Sequence, residues 1–358
     1  MTIPHDFLDQ ATPPDLVVSG TEFLSFSGSG GEYFRIWIVN LLLSTITLGI
    51  YSAWAKVRRL RYFYDNTTLA GTSFEYHGNP VAIFKGRIIA ALLLASYQLS
   101  FKISPKFGLF MLALVAAVLP WLIWRSLQFK LHNSSYRGIR FGFRGSVAGA
   151  YKVYLLLPLL SLLTLYLLAP FTHQRIKRFQ HNESRFGTSH FSFDGSVGAF
   201  YKTYLSGAFI FIVGLVIVFG ALSIFLFGNP AITNNASLFR NGMKLLLAVY
   251  LWIFLMYPLF LTMLQNLIWN HTQLGEHKFF SKLRWGRMMF IGLTNMLGIV
   301  CTLGLFIPFA HIRMLRYRLE SMGMQTAGAL DSFIAGNEAS GSAAGEGMSD
   351  LFDFDLSL

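Results

Sequence analysis

The stretch "TLGIYSAWAKVRRLRY", Thr47 to Tyr62, begins apolar and ends on Lys56, Arg58, Arg59 and Arg61. Nearly the same phrase returns as "TLGLFIPFAHIRMLRY", Thr302 to Tyr317. At a displacement of 255 residues, Asn40 matches Asn295, Thr47 matches Thr302 and Gly49 matches Gly304. Ala55 then matches Ala310, Arg58 matches Arg313, Arg61 matches Arg316 and Tyr62 matches Tyr317. A displacement of 117 gives a weaker third copy, in which Thr164, Phe171, Arg175 and Arg178 stand for Thr47, Trp54, Arg58 and Arg61. Self-similarity at fixed spacing marks a fold built from internal repeats. In each copy an apolar segment runs into a basic, aromatic phrase, as a membrane segment does where it meets a cytoplasmic surface.

Composition points the same way. Of 358 residues, 54% are hydrophobic and 13% charged, against about 25% charged in an ordinary soluble domain. The 35 phenylalanines exceed what a soluble chain of this length would bury. The net charge of +12 reads as the excess of Lys and Arg on cytoplasmic loops, so nucleic acid is not an expected partner. The single cysteine, Cys301, excludes a disulfide framework and a cysteine metal site. Residues 1–33 carry Asp6, Asp9, Asp15, Glu22 and Glu32 without a long apolar run, so no secretory signal is expected.

Seven segments read as membrane-embedded, near 36–54, 82–101, 107–124, 150–171, 203–228, 245–264 and 288–310. Most reach the ~20 residues a spanning helix needs. The second is short at its core, Ile88 to Phe101, so Lys85 and Arg87 must snorkel. Trp54, Trp121, Trp124, Trp269 and Trp285 stand at segment ends, where amphipathic rings prefer the headgroup layer.

Between the segments a second pattern recurs. "FEYHG" (74–78), "FGFRG" (141–145) and "FSFDG" (191–195) share F-x-[FY]-x-G, and "LSFSG" (24–28) is close. The alternation predicts half-buried strands. Upstream lie "NTTLAG" (66–71), "NSSYRG" (133–138), "NESRFG" (182–187) and the related "NHTQLG" (270–275). A polar start, a glycine turn and an aromatic strand predict short β-hairpins, which stacked on one membrane face make a small sheet. Ser29, Asn79, Ser146 and Ser196 follow the strand glycines and are expected to cap helices. Seven residues after each glycine comes a cation: Arg35, Lys85, Lys152 and Lys202, with Arg287 as a fifth.

Connector charge sets orientation. Connectors near 55–87, 125–147, 172–202, 270–287 and 311–318 are rich in Lys and Arg, while those near 102–106 and 229–244 hold two cations each. Two topologies follow. In one, four segments span, and the segments 36–54, 150–171 and 288–310 are broken or re-entrant, with Gly49, Pro158 and Gly304 as the breaks. Every hairpin is then cytoplasmic. In the other, all seven cross, with inverted units as in many transporters.

The phrase "GSGGEYFRIWIVNLLLSTITLGIYSAWAKVRRLRYFY", with "LAGTSFEYHGNP", resembles the YjgN-like family of bacterial inner-membrane proteins, a domain of unknown function. The resemblance covers roughly residues 20–320. It implies a multi-pass protein of the bacterial inner membrane and carries no catalytic residue or substrate with it.

The residues themselves divide the chain into an N-terminal tail, 1–19, and a membrane domain, 20–322, with repeats at 20–144, 145–280 and, in part, 281–322. An acidic C-terminal tail, 323–358, is predicted to be disordered because its Gly, Ala, Ser and acidic residues cannot bury a core. No carboxylate lies within a hydrophobic segment, which disfavours a proton relay and acid–base chemistry there. His173, His181 and His190 lack a ligand pattern. The chain is therefore expected to be no enzyme and to need no cofactor or metal. Asn40 and Asn295 either bond between helices or line a polar cavity. Arg35, Lys85, Lys152 and Lys202, with Arg58, Arg61, Arg175, Arg178, Arg313 and Arg316, either anchor helices or converge on a vestibule for anionic headgroups or solutes. The expected function is a transporter or channel-like protein for a small, anionic or neutral solute. The alternative is a non-transporting membrane scaffold or anionic-lipid-binding protein. Expected partners are anionic lipid headgroups, and a protein docked on the hairpins or the C-terminal tail.

Overall fold

The structure, a computed structural model, describes residues 20–227 and 235–327. The chain runs five times through one order: strand, helical arm, helical arm, strand. Strand β1 (Thr21–Phe26) leads into α1 (Gly30–Ile46) and α2 (Ser52–Asp65), which returns to β2 (Thr67–Leu69). Strand β3 (Thr72–Tyr76) leads into α3 (Pro80–Ile103) and α4 (Pro105–His132), then β4 (Ser134–Tyr136). Strand β5 (Ile139–Phe143) leads into α5 (Val147–Tyr151), a π-helical stretch (Lys152–Leu156) and α6 (Leu157–Leu163), and α7 (Ala169–Asn182) returns to β6 (Ser184–Phe186). Strand β7 (Ser189–Phe193) leads into α8 (Val197–Phe227) and α9 (Asn235–Trp269), then β8 (Thr272–Leu274). Strand β9 (His277–Ser281) leads into α10 (Trp285–Cys301) and α11 (Ile307–Glu320), then β10 (Met322–Gln325).

The ten strands form one closed antiparallel barrel, in which β10 pairs with β1. The stacked hairpins predicted a small sheet; β1 and β10 supply a fifth pair that closes it and removes both edges. That pair corrects a boundary too. Residues 323–325, assigned by composition to the tail, are barrel strand, and Thr326 still bonds Gly20. The predicted disorder of the remaining tail, and the reading of residues 1–19, lie outside the described residues.

Register fixes where the helices stand. Phe26 pairs with Thr67, Tyr76 with Ser134, Phe143 with Ser184, Phe193 with Thr272 and Ser281 with Met322. The last residue before each helical excursion thus sits beside the first residue after it. All five excursions leave and return through one rim. Two tight turns at the other rim, Ala70–Gly71 and Arg137–Gly138, hold positive φ at both residues, the geometry a two-residue hairpin prefers. Above the helical rim each outgoing arm packs on the previous returning arm: α3 on α2, α5 on α4, α8 on α7, α10 on α9, and α1 on α11. The helices make a closed collar. Side-chain donors tie its seams. Arg316 bonds the Gly28 carbonyl, Trp124 that of Gly145, Gln174 that of Gly195 and Asn266 that of Leu283, while Arg87 bonds Ser52. Ser29, Asn79, Ser146 and Ser196 cap their helices as their positions predict.

Four helices are long and apolar enough to cross a membrane: Pro80–Ile103, Pro105–His132, Val197–Leu226 and Asn235–Trp269. The three segments that carry the opening phrase instead turn back on themselves, so the described residues do not hold seven full spans. The phrase "TLG" is the turn. Leu48 and Gly49, and Leu303 and Gly304, have positive φ. Thr47 and Thr302 accept through Oγ1 from the amides of Tyr51 and Phe306, which open the returning arms. In the third copy Leu165 and Tyr166 take the left-handed positions, so the break is there and not at Pro158. Pro158 opens α6, just after the π-helical stretch, where a missing amide is tolerated.

The barrel is filled. Five cross-strand pairs point inward: Leu24 with Leu69, Phe74 with Tyr136, Phe141 with Phe186, Phe191 with Leu274 and Phe279 with Met324. They form one cluster. Phe74, Phe141, Phe191 and Phe279 touch in sequence around the lumen, with ring centroids 6.5, 6.3 and 6.1 Å apart. The strand-end aromatics Phe26, Tyr76, Phe143 and Phe193 pack upward among the helices. Each ring folds over the glycine two residues on, and a Cβ on Gly28, Gly78, Gly145 or Gly195 would overlap it. The fifth unit reverses both choices, with Ser281 for the aromatic and buried Leu283 for the glycine.

Two outcomes test this packing. Phe186 is 2% exposed, so Phe186→Ala should cost about 3–5 kcal/mol through the cavity it leaves, read by unfolding in detergent. Gly195→Leu should destabilise by about 1–3 kcal/mol through overpacking. Adding Phe193→Ser, which copies the fifth unit, should recover part of that loss; simple additivity of the two changes would refute the pairing.

Candidate functional site

The returning arms α4, α7, α9 and α11 line a cavity of about 210 Å³. Leu127, Lys130 and Leu131 reach it from α4, and His173, Lys177, Gln180 and His181 from α7. Leu261, Leu264, Gln265, Ile268 and Trp269 come from α9, and Arg318 from α11. A local rule places these groups. Lys130, Gln180 and Ile268 stand four residues before the first strand residue of their unit, whose hydroxyl bonds back to their carbonyl: Ser134 to Lys130 at 2.9 Å, Ser184 to Gln180 at 2.7 Å and Thr272 to Ile268 at 2.8 Å. Arg318 occupies the same place before Met322. One turn earlier, the same face carries Leu127, Lys177 and Gln265.

Among the described residues, three cations and no carboxylate line this cavity. Gln265 Oε1 accepts from Arg318 Nε at 2.7 Å and fixes the guanidinium. Burial, reinforced by the like charge of Lys130, lowers the Lys177 pKa from 10.5 to about 8. Lys177 keeps some exposed surface, which moderates the effect of that burial. Burial also lowers His173 to about 4 and His181 to about 3, with Lys177 adding to both shifts. Both imidazoles are therefore neutral near pH 7. His173 Nδ1 meets the Tyr204 hydroxyl at 2.9 Å, and His181 packs against Phe193 and Trp269. These are packing and hydrogen-bonding roles. No cluster of His, Cys, Asp or Glu that would hold a metal occurs among the described residues.

The residues singled out from sequence fall elsewhere. Arg35, Lys85, Lys152 and Lys202 are exposed, as is Arg287. Two residues earlier stand Tyr33, Ile83, Ala150 and Phe200, all buried. A helix turns about 200° over two residues, so the cations point away from the core and do not converge. The vestibule expected from their spacing is not formed. Arg58 and Arg61 border a surface groove with Tyr51, Trp54, Val57 and Pro80. Arg175 lies over the Phe171 ring, Arg178 is exposed, and Arg316 holds Gly28 with Glu320 3.9 Å away. Asn40 and Asn295 tie the two arms of their hairpins, donating to Ala55 O and Ala310 O. Arg313 completes the second tie by bonding Asn295 Oδ1 at 2.8 Å and Thr294 Oγ1 at 3.0 Å. Neither asparagine lines the cavity.

Lys130, Lys177 and Arg318 carry no shared sequence signature. The position four before each returning strand holds Phe63, Lys130, Gln180, Ile268 and Arg318. In four of these five a Ser or Thr four residues on bonds back to its carbonyl, Met322 being the exception, and counting cations does not find that feature.

Residues 21–351 match the family described as bacterial protein of unknown function, DUF898. "Inner membrane protein YjgN" of Salmonella typhimurium strain LT2 is 36% identical over 145 residues, which is 40% of this chain and 37% of that protein. The proteins of the same name from Escherichia coli O157:H7 and strain K12 are 33% identical over 141 residues and 31% over 136. Each match covers 38% of this chain and 34% of the relative, so the chain aligns with about a third of these relatives. No solved structure matches. With four helices long and apolar enough to span and these relatives, the chain is a multi-pass inner-membrane protein, and it belongs to the YjgN-like DUF898 family.

Proposed function

We propose that this protein is a non-conducting scaffold of the inner membrane. In this reading two helical hairpins span the bilayer, three are re-entrant, and the plugged barrel lies in the cytoplasm. The observation that carries it is the apolar cluster that fills the barrel lumen. A conducting route along the barrel axis would need water where Phe141, Phe186 and Phe191 meet.

Helix length supports the re-entrant arms. Arg35 and Lys152 stand at the headgroup level, and Thr47 and Thr164 lie twelve residues on, a rise of about 18 Å. The hydrocarbon core is about 30 Å thick. From Lys85 to Ser104, in the second unit, nineteen residues rise about 28 Å, which spans it. The turn residues Leu48, Leu165 and Leu303 are 94%, 85% and 95% exposed. Such bare leucines suit acyl chains, not water. The turn backbone is hydrogen-bonded internally, as hydrocarbon demands. All basic connectors lie on the barrel side of the collar, which by the positive-inside bias is cytoplasmic.

The internal copies then acquire a physical meaning. Each is one helical hairpin with its half of two barrel seams, and no copy closes a lumen alone. The outward cations, Arg35, Lys85, Lys152, Lys202, Arg58, Arg61 and Arg178, form a girdle for anionic headgroups, each contributing about 1 kcal/mol. The barrel surface offers a docking platform to a cytoplasmic partner. The reading gives the chain no catalytic role.

Cysteine labelling in a Cys301→Ser background tests the topology. Thr188→Cys, on an exposed turn of the far rim, should react with an impermeant maleimide only from the cytoplasmic side. Leu48→Cys and Leu303→Cys should stay silent from both sides. Periplasmic labelling of either would replace the re-entrant arms with full crossings. Proteoliposomes of the wild type should show no ion or solute flux above protein-free controls, and a flux that scales with protein content would restore the transporter reading.

A further inference from the structure

We infer that the groove between the first and second hairpins holds one anionic phospholipid, its phosphate at Arg58 and its acyl chain along Trp54 and Tyr51. This site lies within the headgroup girdle proposed above and takes its level in the bilayer from that reading. A girdle alone would spread the lipid evenly; the groove selects one place.

The internal copies supply the comparison. In the fifth hairpin Arg313 is held, its guanidinium donating to Asn295 Oδ1 at 2.8 Å and to Thr294 Oγ1 at 3.0 Å. The displacement of 255 residues sets Arg58, Asn40 and Val39 in these three places. Valine has no acceptor, so the first copy offers its arginine only half of that cradle. Asn40 keeps the backbone tie, donating to Ala55 O at 3.4 Å as Asn295 does to Ala310 O at 3.1 Å. The buried Oδ1 of Asn40 has no hydrogen-bond partner, so Arg58 has not taken the place that Arg313 takes. Arg313 is half-buried, whereas Arg58 is exposed and lines a groove of about 350 Å³.

The groove has a direction. Tyr51, Trp54, Val57, Arg58 and Arg61 line it from the returning arm α2, and Pro80, at the start of α3, forms the facing wall. The end toward the hairpin tip is aromatic. Tyr51 and Trp54 stack with centroids 6.4 Å apart, and Trp54 meets Phe84 at 5.8 Å. The end toward the barrel is cationic. A phospholipid of the cytoplasmic leaflet has the same order, with acyl chains toward the tip and phosphate toward the barrel. Depth strengthens the match. Arg58 stands seven residues from Tyr51, whose amide bonds Thr47 at the turn, a rise of about 10 Å against about 18 Å for Arg35. Arg58 is therefore nearer the hydrocarbon than Arg35, where a cation gains most from an anionic partner. Its planar fork takes two phosphate oxygens at once, and the positive end of the α3 dipole borders the same space. Asp65, one turn beyond Arg61, interacts with that cation, so the headgroup contact rests on Arg58.

Variants of the full chain, purified in detergent, test the site with phosphatidylglycerol as the probe and native mass spectrometry as the readout. The wild type should retain the lipid, and Arg58→Gln should lower retention about tenfold, the effect of losing one charge-assisted contact. Arg35→Gln removes another exposed cation of the same hairpin and should leave retention near the wild-type level. Equal retention by wild type and R58Q, or an equal loss in R58Q and R35Q, would overturn the site. Retention of inorganic phosphate in place of the lipid would overturn it too.

Val39→Thr is the sharper variant, because it changes no charge. It restores the acceptor that Thr294 supplies in the fifth hairpin, so Arg58 should turn onto Asn40 and release the lipid. A girdle of independent charges would be indifferent to this change. Unchanged retention by V39T would therefore overturn the freeing of Arg58 as the origin of the site. Val39 and Arg58 are both exposed, so V39T and R58Q should melt with the wild type when lipid-free. Retention in detergent is read independently of insertion. Periplasmic labelling of Leu48→Cys would remove the re-entrant arms whatever R58Q does. Wild-type retention by R58Q with Leu48→Cys silent would remove the lipid site and leave those arms standing.

Discussion

Strand β10 pairs with β1 across nearly the whole described chain: Thr21 lies opposite Gln325, Glu22 opposite Met324 and Phe23 opposite Gly323. Beyond them, Gly20 and Thr326 hold each other at a sequence separation of 306. An open nine- or ten-stranded ribbon would let each helical hairpin swing on its own strand pair. Closure removes that freedom. It places five hairpins on one rim, brings α11 against α1 and turns a row of helices into a collar. Everything at the centre follows, because a collar has an inside. The returning arms meet there, and their inward positions become a site only once the ring is shut.

The units obey rules of volume more than rules of identity. At the strand ends, a ring over a glycine and a serine beside a leucine solve the same problem, and the pairs Phe193–Gly195 and Ser281–Leu283 are interchangeable as pairs only. At the hairpin tips, Gly49 and Gly304 take the left-handed backbone with little strain, while Tyr166 adopts it at φ 64° in the third copy. There the chain also carries the π-helical stretch Lys152–Leu156. Such a stretch adds a residue to the helix, and the third hairpin accommodates it while keeping its threonine turn, Thr164 Oγ1 accepting from the Leu168 amide at 3.4 Å.

How much of this was legible in the sequence depended on whether a rule acts locally. The caps at Ser29, Asn79, Ser146 and Ser196 and the turn at Thr47–Gly49 each involve neighbours within about four residues, and pattern alone finds them. Barrel closure is not local. "MGMQ", 322–325, lacks the β-branched and aromatic residues that mark a strand, yet it is held because Gly323 fits against Phe280 and the Glu22 backbone, where a Cβ would clash. The equivalence of Arg35, Lys85, Lys152 and Lys202 was legible, but their direction was not. Spacing says that these cations share a radial position, and only the burial of Tyr33, Ile83, Ala150 and Phe200 says that the position faces outward.

The inward cations invert that relation. Lys130, Lys177 and Arg318 differ in residue type from their counterparts Phe63, Gln180 and Ile268 or Leu127 and Gln265, so the ring is symmetric in backbone and asymmetric in charge. A purely structural collar would fill its centre as the barrel is filled, with apolar side chains, and the barrel of the same fold shows that it can do so. Replacing a buried ionic group by apolar residues of similar volume is often neutral or stabilising. Burial and the like charge of Lys130 both disfavour the charged form of Lys177, and the neutral His173 and His181 add no charge beside it. An anion brought beside Lys177 would favour its ammonium form, so the charge of Lys177 and that of a neighbouring group are linked quantities.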